Sequence, residues 1–304
     1  MNQEFYKKLE SILTEEQVKI EEPMKNHTTF RVGGPAAYFV MPRTAEEVAK
    51  VTELCAQENV PYYIVGNGSN LLVSDKGYDG VIIQIYKQMS QVEVKGREIY
   101  AQAGALLSMV AKRALDTELA GFEFAAGIPG TLGGACVMNA GAYGGEMKDV
   151  LKSVTVLDKD GNVKKLAKDE LELGYRTSVI AKKGYIVLDA VIELKEGKAE
   201  EIKALMDDLK ERRITKQPLE YPSAGSTFKR PEGYFAGKLI QDADLRGFQV
   251  GGAQVSEKHC GFVINKDGAT ASDVMELMRQ VSDKVYDKFG VRLEPSVMLH
   301  LLHL

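Results

Sequence analysis

The sequence predicts an α+β chain of about three folding units, and three observations predict it. Short apolar runs of strand length alternate with longer stretches of helical period. Gly, Pro, Asn and Asp clusters punctuate them. The 304 residues, 44% of them hydrophobic, are enough to fill two or three cores.

Residues 3–14 read as a helix with Phe5, Leu9, Ile12 and Leu13 on one face. Ala45 to Gln57 reads as a second helix: Thr44 can cap it, Glu47 follows three residues later, and Val48, Val51, Thr52 and Cys55 make the inner stripe. Strands are expected at 61–65 and 80–85, with the loop Gly66-Asn67-Gly68-Ser69-Asn70 between them, so the chain starts as a small α/β unit. A second unit follows. Residues 92–94 and 99–103 alternate as strands around Gly96, and 105–116 is a helix. Residues 121–145 are rich in Gly and Ala and nearly free of charge. Residues 154–157, Asp160-Gly161 and Val163 spell a hairpin. The apolar run 185–194 reads as a strand buried on both faces. A third unit opens with a charged helix near 198–213 and closes with an amphipathic helix, 272–289, that carries Val274, Leu277, Met278, Val281, Val285 and Phe289 on one side. Boundaries are expected near 90 and 197, giving units 1–90, 91–197 and 198–304.

Composition narrows the chemistry. A net charge of −4 and an isoelectric point near 5.8 disfavour a nucleic-acid partner. Short charge runs such as Glu211-Arg212-Arg213 read as solvated helix faces. Cys55, Cys136 and Cys260 are too few and too widely spaced for a disulfide framework or a structural zinc site, and each reads as a small buried hydrophobe. His27, His259, His300 and His303 show no metal-ligand spacing. There is no apolar run of membrane-spanning length and no signal-peptide core in the first residues, so a cytoplasmic protein is expected.

Four motifs carry chemistry. Gly66 to Asn70 can turn backbone amides toward an anion. It is neither a dinucleotide fingerprint, since Leu71 stands where a third glycine belongs, nor a phosphate-binding Gly-Lys-Ser/Thr loop. The stretch Gly127-Ile128-Pro129-Gly130-Thr131-Leu132-Gly133-Gly134-Ala135, followed by Asn139-Ala-Gly-Ala-Tyr-Gly144, lets backbone lie against a flat or polyanionic ligand. Leu173-Gly174-Tyr175-Arg176 places an arginine in a turn; by itself it is an ordinary surface residue. Ala224-Gly225-Ser226-Thr227-Phe228-Lys229-Arg230-Pro231 sets a hydroxyl beside two cations. Phe228 excludes the Gly-x-Ser-x-Gly elbow of a serine hydrolase.

Taken in order, Thr29 to Ala36, Gly66 to Asn70, Gly127 to Ala135, Gly174 to Arg176, Ala224 to Lys229 and Ala236 to Ile240 resemble the UDP-N-acetylenolpyruvoylglucosamine reductase family, from about residue 20 to the tail. The short chain, with no long insertion after Arg176, resembles that family's shorter subgroup. The resemblance implies two FAD-binding subdomains of the vanillyl-alcohol-oxidase type and a C-terminal α+β substrate-binding domain. It implies FAD and NADPH as cofactors and a small-molecule substrate, UDP-N-acetylglucosamine enolpyruvate, reduced to UDP-N-acetylmuramate in peptidoglycan precursor synthesis. By the same resemblance, Gly66, Asn67, Gly68, Ser69, Asn70, Gly127, Ile128, Pro129, Gly130, Thr131, Gly133, Gly134 and Ala135 bind the cofactor. Arg176 binds the substrate carboxylate, Ser226 donates a proton, and Tyr175, Lys216, Lys229 and Arg230 contact substrate. The family's catalytic glutamate sits in a Leu-Glu-x-Glu-Val pattern; here Leu293-Glu294-Pro295-Ser296-Val297 has serine at the second acidic position. Residues i and i+2 of an extended strand face the same way, which makes Glu294 the candidate catalytic acid. Two alternatives stay open: another FAD-dependent oxidoreductase of the same fold, and a nucleotide-sugar-binding paralogue with no activity.

Overall fold

The computed structural model describes residues 2–301; His303 and the side chain of His300 lie outside the described residues. The chain forms two compact units. One takes residues up to Lys19, then Tyr38–Asn67 and Gly80–Arg213; the other takes Ile20–Ala37, Gly68–Asp79 and the chain from Ile214. The expected boundaries at 90 and 197 both fall inside the first unit. The helix Ala199–Lys216 begins there because Ile202 is buried and lies close to Gly197.

In the first unit the helix Ala45–Gln57 forms where its pattern predicts, with the Thr44 hydroxyl accepting from the Glu47 N–H at 3.1 Å. It leads into Tyr62–Val65, which pairs in parallel with Tyr78–Gln84, from Tyr62 opposite Val81 to Val65 opposite Gln84. The first helix is shorter than expected, Gln3–Glu10: Ser11 ends it by turning its N–H and hydroxyl back onto carbonyls of the last turn, and Leu13 is buried outside the helix. A five-stranded antiparallel sheet runs in the order Val163–Ala167, Leu151–Leu157, Ile186–Glu193, Glu98–Gln102, Val92–Lys95. Ile186–Glu193 has sheet neighbours on both edges and buries most of its side chains, as its apolar run predicts. The helices Leu107–Asp116 and Leu132–Met138 pack against this sheet.

The second unit is built around Ala271–Phe289, whose Val274, Leu277, Met278, Val281 and Val285 enter a core with Phe30, Leu72, Phe228, Ile240 and Val263. Its first turn is held twice. Thr270 and Asp273 form a capping box, and the Asp75 carboxylate accepts from the N–H of Ala271 (2.7 Å) and of Ser272 (2.9 Å). A three-stranded antiparallel sheet, Gln249–Val250, Ala253–Val255 and Val263–Asn265, completes it. Cys55, Cys136 and Cys260 are buried as expected, and burial pushes the first two thiols up to about 12. Among the described residues there is no cluster able to hold a metal ion, and no helix is long and apolar enough to cross a membrane.

Candidate functional site

The glycine-rich stretch of the first unit is an ordered crossing of chain. Thr131 caps the helix Leu132–Met138, its hydroxyl accepting from the Gly134 N–H at 3.4 Å. Leu132 and Gly133 donate to the carbonyls of Ala105 and Ala103, both at 2.8 Å, and Ala135 to Thr131 O at 2.9 Å. These amides are engaged within the protein. Gly133 and Ala135 therefore contribute smallness: a Cβ on Gly133 would stand 2.9 Å from Ala103 Cβ. Gly66 enters the same crossing, since a Cβ there would lie 2.3 Å from Thr131 Oγ1. The Asn67 side chain donates to Pro129 O at 2.9 Å, which ties the two sequence-predicted loops to each other. Gly127, Pro129 and Gly134 are nevertheless exposed residues of this crossing. Gly68, Ser69 and Asn70 belong to the second unit, where the Gly68 carbonyl accepts from Thr29 N–H at 3.2 Å and its φ of +61 suits glycine.

Arg213 is a residue that sequence reasoning missed, placed there among solvated charges. It is half-buried in the first unit, and its side chain packs on the glycine-rich loop: a Cβ on Gly127 would be 3.3 Å from Arg213 Cδ. Burial pulls its guanidinium below the usual range. Its neighbours Glu211 and Arg212 are exposed, so one charge run spans two environments and the pattern alone cannot separate them. An exposed glycine-rich stretch with a cation against it fits a flat, doubly charged cofactor such as FAD.

Arg176 sits at the tip of a tight turn in the same unit. Gly174 and Thr177 exchange both backbone hydrogen bonds, at 3.1 and 3.2 Å, and Arg176 takes a φ of 53. A non-glycine residue in the left-handed region costs about 1–3 kcal/mol, and such strain clusters at functional sites. Burial shifts the Arg176 guanidinium below its usual range, whereas Tyr175 is 65% exposed. The surface arginine that the bare sequence allows is thus a largely desolvated one.

The second unit holds the remaining candidates. Ser226 is exposed on a short bulge whose flanks are pinned. Ser223 bridges Ile264; Thr227 donates its N–H to Gly261 O at 2.9 Å, and its hydroxyl accepts from Val263 N–H at 2.9 Å. Residues 227–229 then pair antiparallel with 294–296: Lys229 N–H to Glu294 O at 2.8 Å, Ser296 N–H to Thr227 O at 2.8 Å, Phe228 opposite Pro295. Side chains follow this register. The Lys229 ammonium lies 3.0 Å from the Glu294 carboxylate, which is 71% exposed, while Ser296 is 5% exposed beside buried Thr227. Glu294 and Ser296 therefore occupy different environments, one in solvent and one in the interior, although strand alternation alone groups them. Arg230 stacks on Phe235 at 3.9 Å and donates to Tyr234 O at 3.3 Å; Lys216, at the helix end, is exposed.

Two family models match successive parts of the chain. A family model described as FAD binding domain matches residues 36–167, and one described as UDP-N-acetylenolpyruvoylglucosamine reductase, C-terminal domain, matches residues 217–300. The chain is 55% identical over 298 residues to the UDP-N-acetylenolpyruvoylglucosamine reductase of Clostridioides difficile strain 630, covering 98% of each chain. It superposes on the crystal structure of the Thermus caldophilus enzyme of that name with a TM-score of 0.80 at 37% identity, over 93% of this chain and 98% of the other. A structure of alkyldihydroxyacetonephosphate synthase matches 64% of this chain and 40% of that one at a TM-score of 0.50 and 20% identity, a likeness of fold alone. The α+β fold class that the resemblance implies, an FAD-binding fold followed by a C-terminal α+β domain, is the one found. On near-full-length identity and on both domain matches, the chain belongs to the UDP-N-acetylenolpyruvoylglucosamine reductase family.

Proposed function

We propose that this chain reduces the enolpyruvyl double bond of UDP-N-acetylglucosamine enolpyruvate with electrons from NADPH, yielding UDP-N-acetylmuramate for peptidoglycan synthesis in the cytoplasm. The observation that carries the reading is Arg176: a half-buried guanidinium on a strained turn, in the compact unit that also holds the glycine cradle and Arg213. Gly66, Asn67, Gly127, Pro129, Gly130 and Gly134 would hold FAD, and Arg213 would offset its diphosphate charge. When bound, the flavin supplies the hydride.

The residues of the chain meet the other demands of the reaction. Negative charge builds on the substrate carboxylate and the adjoining carbon as the double bond is reduced. A desolvated guanidinium stabilises that charge more strongly than a hydrated one. Ser226 delivers the proton to the carbon next to the carboxylate. Lys216, Lys229, Arg230 and Tyr175 bind the nucleotide sugar. Glu294 holds Lys229 in place through their ion pair.

The test is spectroscopic. Purified protein is expected to carry bound flavin absorbance that NADPH bleaches and the enolpyruvyl nucleotide restores. A preparation that takes up no FAD overturns the proposal. Reaction in deuterated water with a Ser226→Ala variant tests the proton donor: unchanged turnover removes Ser226 from that role. One observation favours a second reading, a binding protein without turnover: the buried position that carries a carboxylate in the family is Ser296. Flavin that NADPH bleaches but substrate never re-oxidises would select it.

A further inference from the structure

We infer that Asn139 is a positioning residue for Arg176, clamping the arginine turn to the helix that leaves the glycine-rich loop; the inference rests on the proposed role of Arg176. Asn139 is buried at the C-terminal cap of Leu132–Met138, in the left-handed region with φ 44 and ψ 54. Glycine is the usual residue at such a cap. Asparagine tolerates the conformation, and here its amide is fully employed. Nδ2 donates to Glu146 Oε2 at 2.6 Å and to Gly174 O at 3.1 Å, and Oδ1 accepts from Lys148 N–H at 2.8 Å. Turning the amide over would set oxygen against two acceptors and NH2 against a donor, so the orientation is unambiguous.

Gly174 O is the acceptor that closes the Arg176 turn, taking Thr177 N–H at 3.2 Å, and Asn139 grips that same oxygen. The far end of the turn is tied to the same helix: buried Ser178 donates its hydroxyl to Val137 O at 2.7 Å. Both ends of a strained turn are thus fastened to the last residues of one helix. That helix of seven residues starts at Thr131 in the cofactor loop and spans roughly 10 Å at 1.5 Å per residue. It acts as a strut that sets the distance between cofactor backbone and guanidinium. A glycine at 139 would satisfy the backbone and leave the strut unfastened.

Asn139→Gly therefore isolates the clamp, and Ser178→Ala removes the second tie. Measured on FAD-loaded protein, flavin reduction by NADPH should stay within about twofold of the parent. Re-oxidation by the enolpyruvyl nucleotide should slow by about 10–100-fold, the scale of a catalytic group displaced by an ångström or less. Calorimetric affinity for the nucleotide should fall in parallel. In an Arg176→Ala background, Asn139→Gly should add little, because the group it positions is gone. Equal slowing of both half-reactions, or a full additional loss in that background, would mean a general structural role and overturn the inference. So would parent-like re-oxidation in both clamp variants while Arg176→Ala is impaired. If Arg176→Ala itself re-oxidises normally, it is the role of Arg176 that falls, and the clamp with it.

Discussion

Replacing Gly66 by alanine tests whether the glycine serves close approach between the two cofactor loops. Gly66 does not have a positive φ, so alanine is unstrained as backbone. The new Cβ would lie 2.3 Å from Thr131 Oγ1, 3.1 Å from its Cγ2 and 3.3 Å from its Cβ, all atoms of one side chain. Thr131 cannot swing away freely. It is buried, and its hydroxyl caps the helix Leu132–Met138, though at 3.4 Å that bond is long. Overpacking of this kind costs about 1–3 kcal/mol. Losing a weak cap adds about 0.5–1 kcal/mol, toward the low end of cap substitutions. A total of about 1.5–4 kcal/mol corresponds to a fall in Tm of roughly 3–16 °C, at about 2–4 °C per kcal/mol. Thr131→Ala removes every clashing atom except the Cβ, so the double variant should recover about 1–2 kcal/mol relative to the sum of the single changes. The assay is thermal unfolding of the four proteins with and without saturating FAD. FAD should raise the Tm of Gly66→Ala less than that of the parent, because the displaced loop is part of its site. Additive single effects, or a neutral Gly66→Ala, would refute close approach as the reason for this glycine.

Ser296→Glu should raise substrate-dependent flavin re-oxidation, by about 10²-fold or more if a general acid is restored, and should introduce a pH limb because burial favours the neutral carboxyl; a flat response would show that position 296 plays no part in turnover. Lys229→Met and Glu294→Gln should each change stability by less than about 1 kcal/mol in chemical denaturation, since the pair is 46% and 71% exposed; a larger loss would mean a tighter linkage than the geometry gives. His259 packs edge-on against Phe262 with ring centroids 5.0 Å apart and accepts Gly261 N–H at Nδ1, 3.1 Å. Burial holds its pKa below the ordinary 6.5, with Arg246 adding to the effect. The unfolded chain then takes up this proton first. The contribution of His259 to stability is fully present above about pH 6.5 and is lost as pH falls through the folded value. The Tm should drop more steeply on acidification in the parent than in His259→Gln; parallel profiles would count against it.

Periodicity and caps made the regular elements legible. Ala45–Gln57 and Ala271–Phe289 carry apolar stripes behind a capping threonine, and both form within a residue of where the pattern places them. The helix Leu132–Met138 was hidden because Gly133 and Gly134 are poor helix formers; it is held by the Thr131 cap and by packing on the sheet. The partition into units was hidden for a different reason. Ile20–Ala37 and Gly68–Asp79 group with the C-terminal part through long-range contacts such as Asp75 at the first turn of Ala271–Phe289, and composition changes at none of these borders. Ordered motifs nominated the candidate site residues. Environment was beyond them: nothing in Gly-Tyr-Arg distinguishes a desolvated guanidinium from a solvated one, and nothing in Glu-Arg-Arg marks Arg213 as the residue that touches the loop.

The contrast between Glu294 and Ser296 shows why environment decides chemistry. A carboxyl group becomes a proton donor near neutral pH when its surroundings penalise the charged form, and burial is the strongest such penalty. Position 296 has that burial, and its backbone is locked to Thr227, whose hydroxyl is itself bound to Val263. Position 294 lies one register step outward, in solvent and against an ammonium. Moving the Glu294 carboxyl inward would require breaking that pair and slipping the 227–229 and 294–296 ladder, and Pro295 between them has no N–H with which to form a new rung. In the proposed reaction, unless that slip occurs on substrate binding, proton delivery falls to Ser226. Glu294→Gln should then leave re-oxidation of the flavin nearly unchanged while Ser226→Ala slows it; a deep loss in Glu294→Gln alone would show that the ladder does slip.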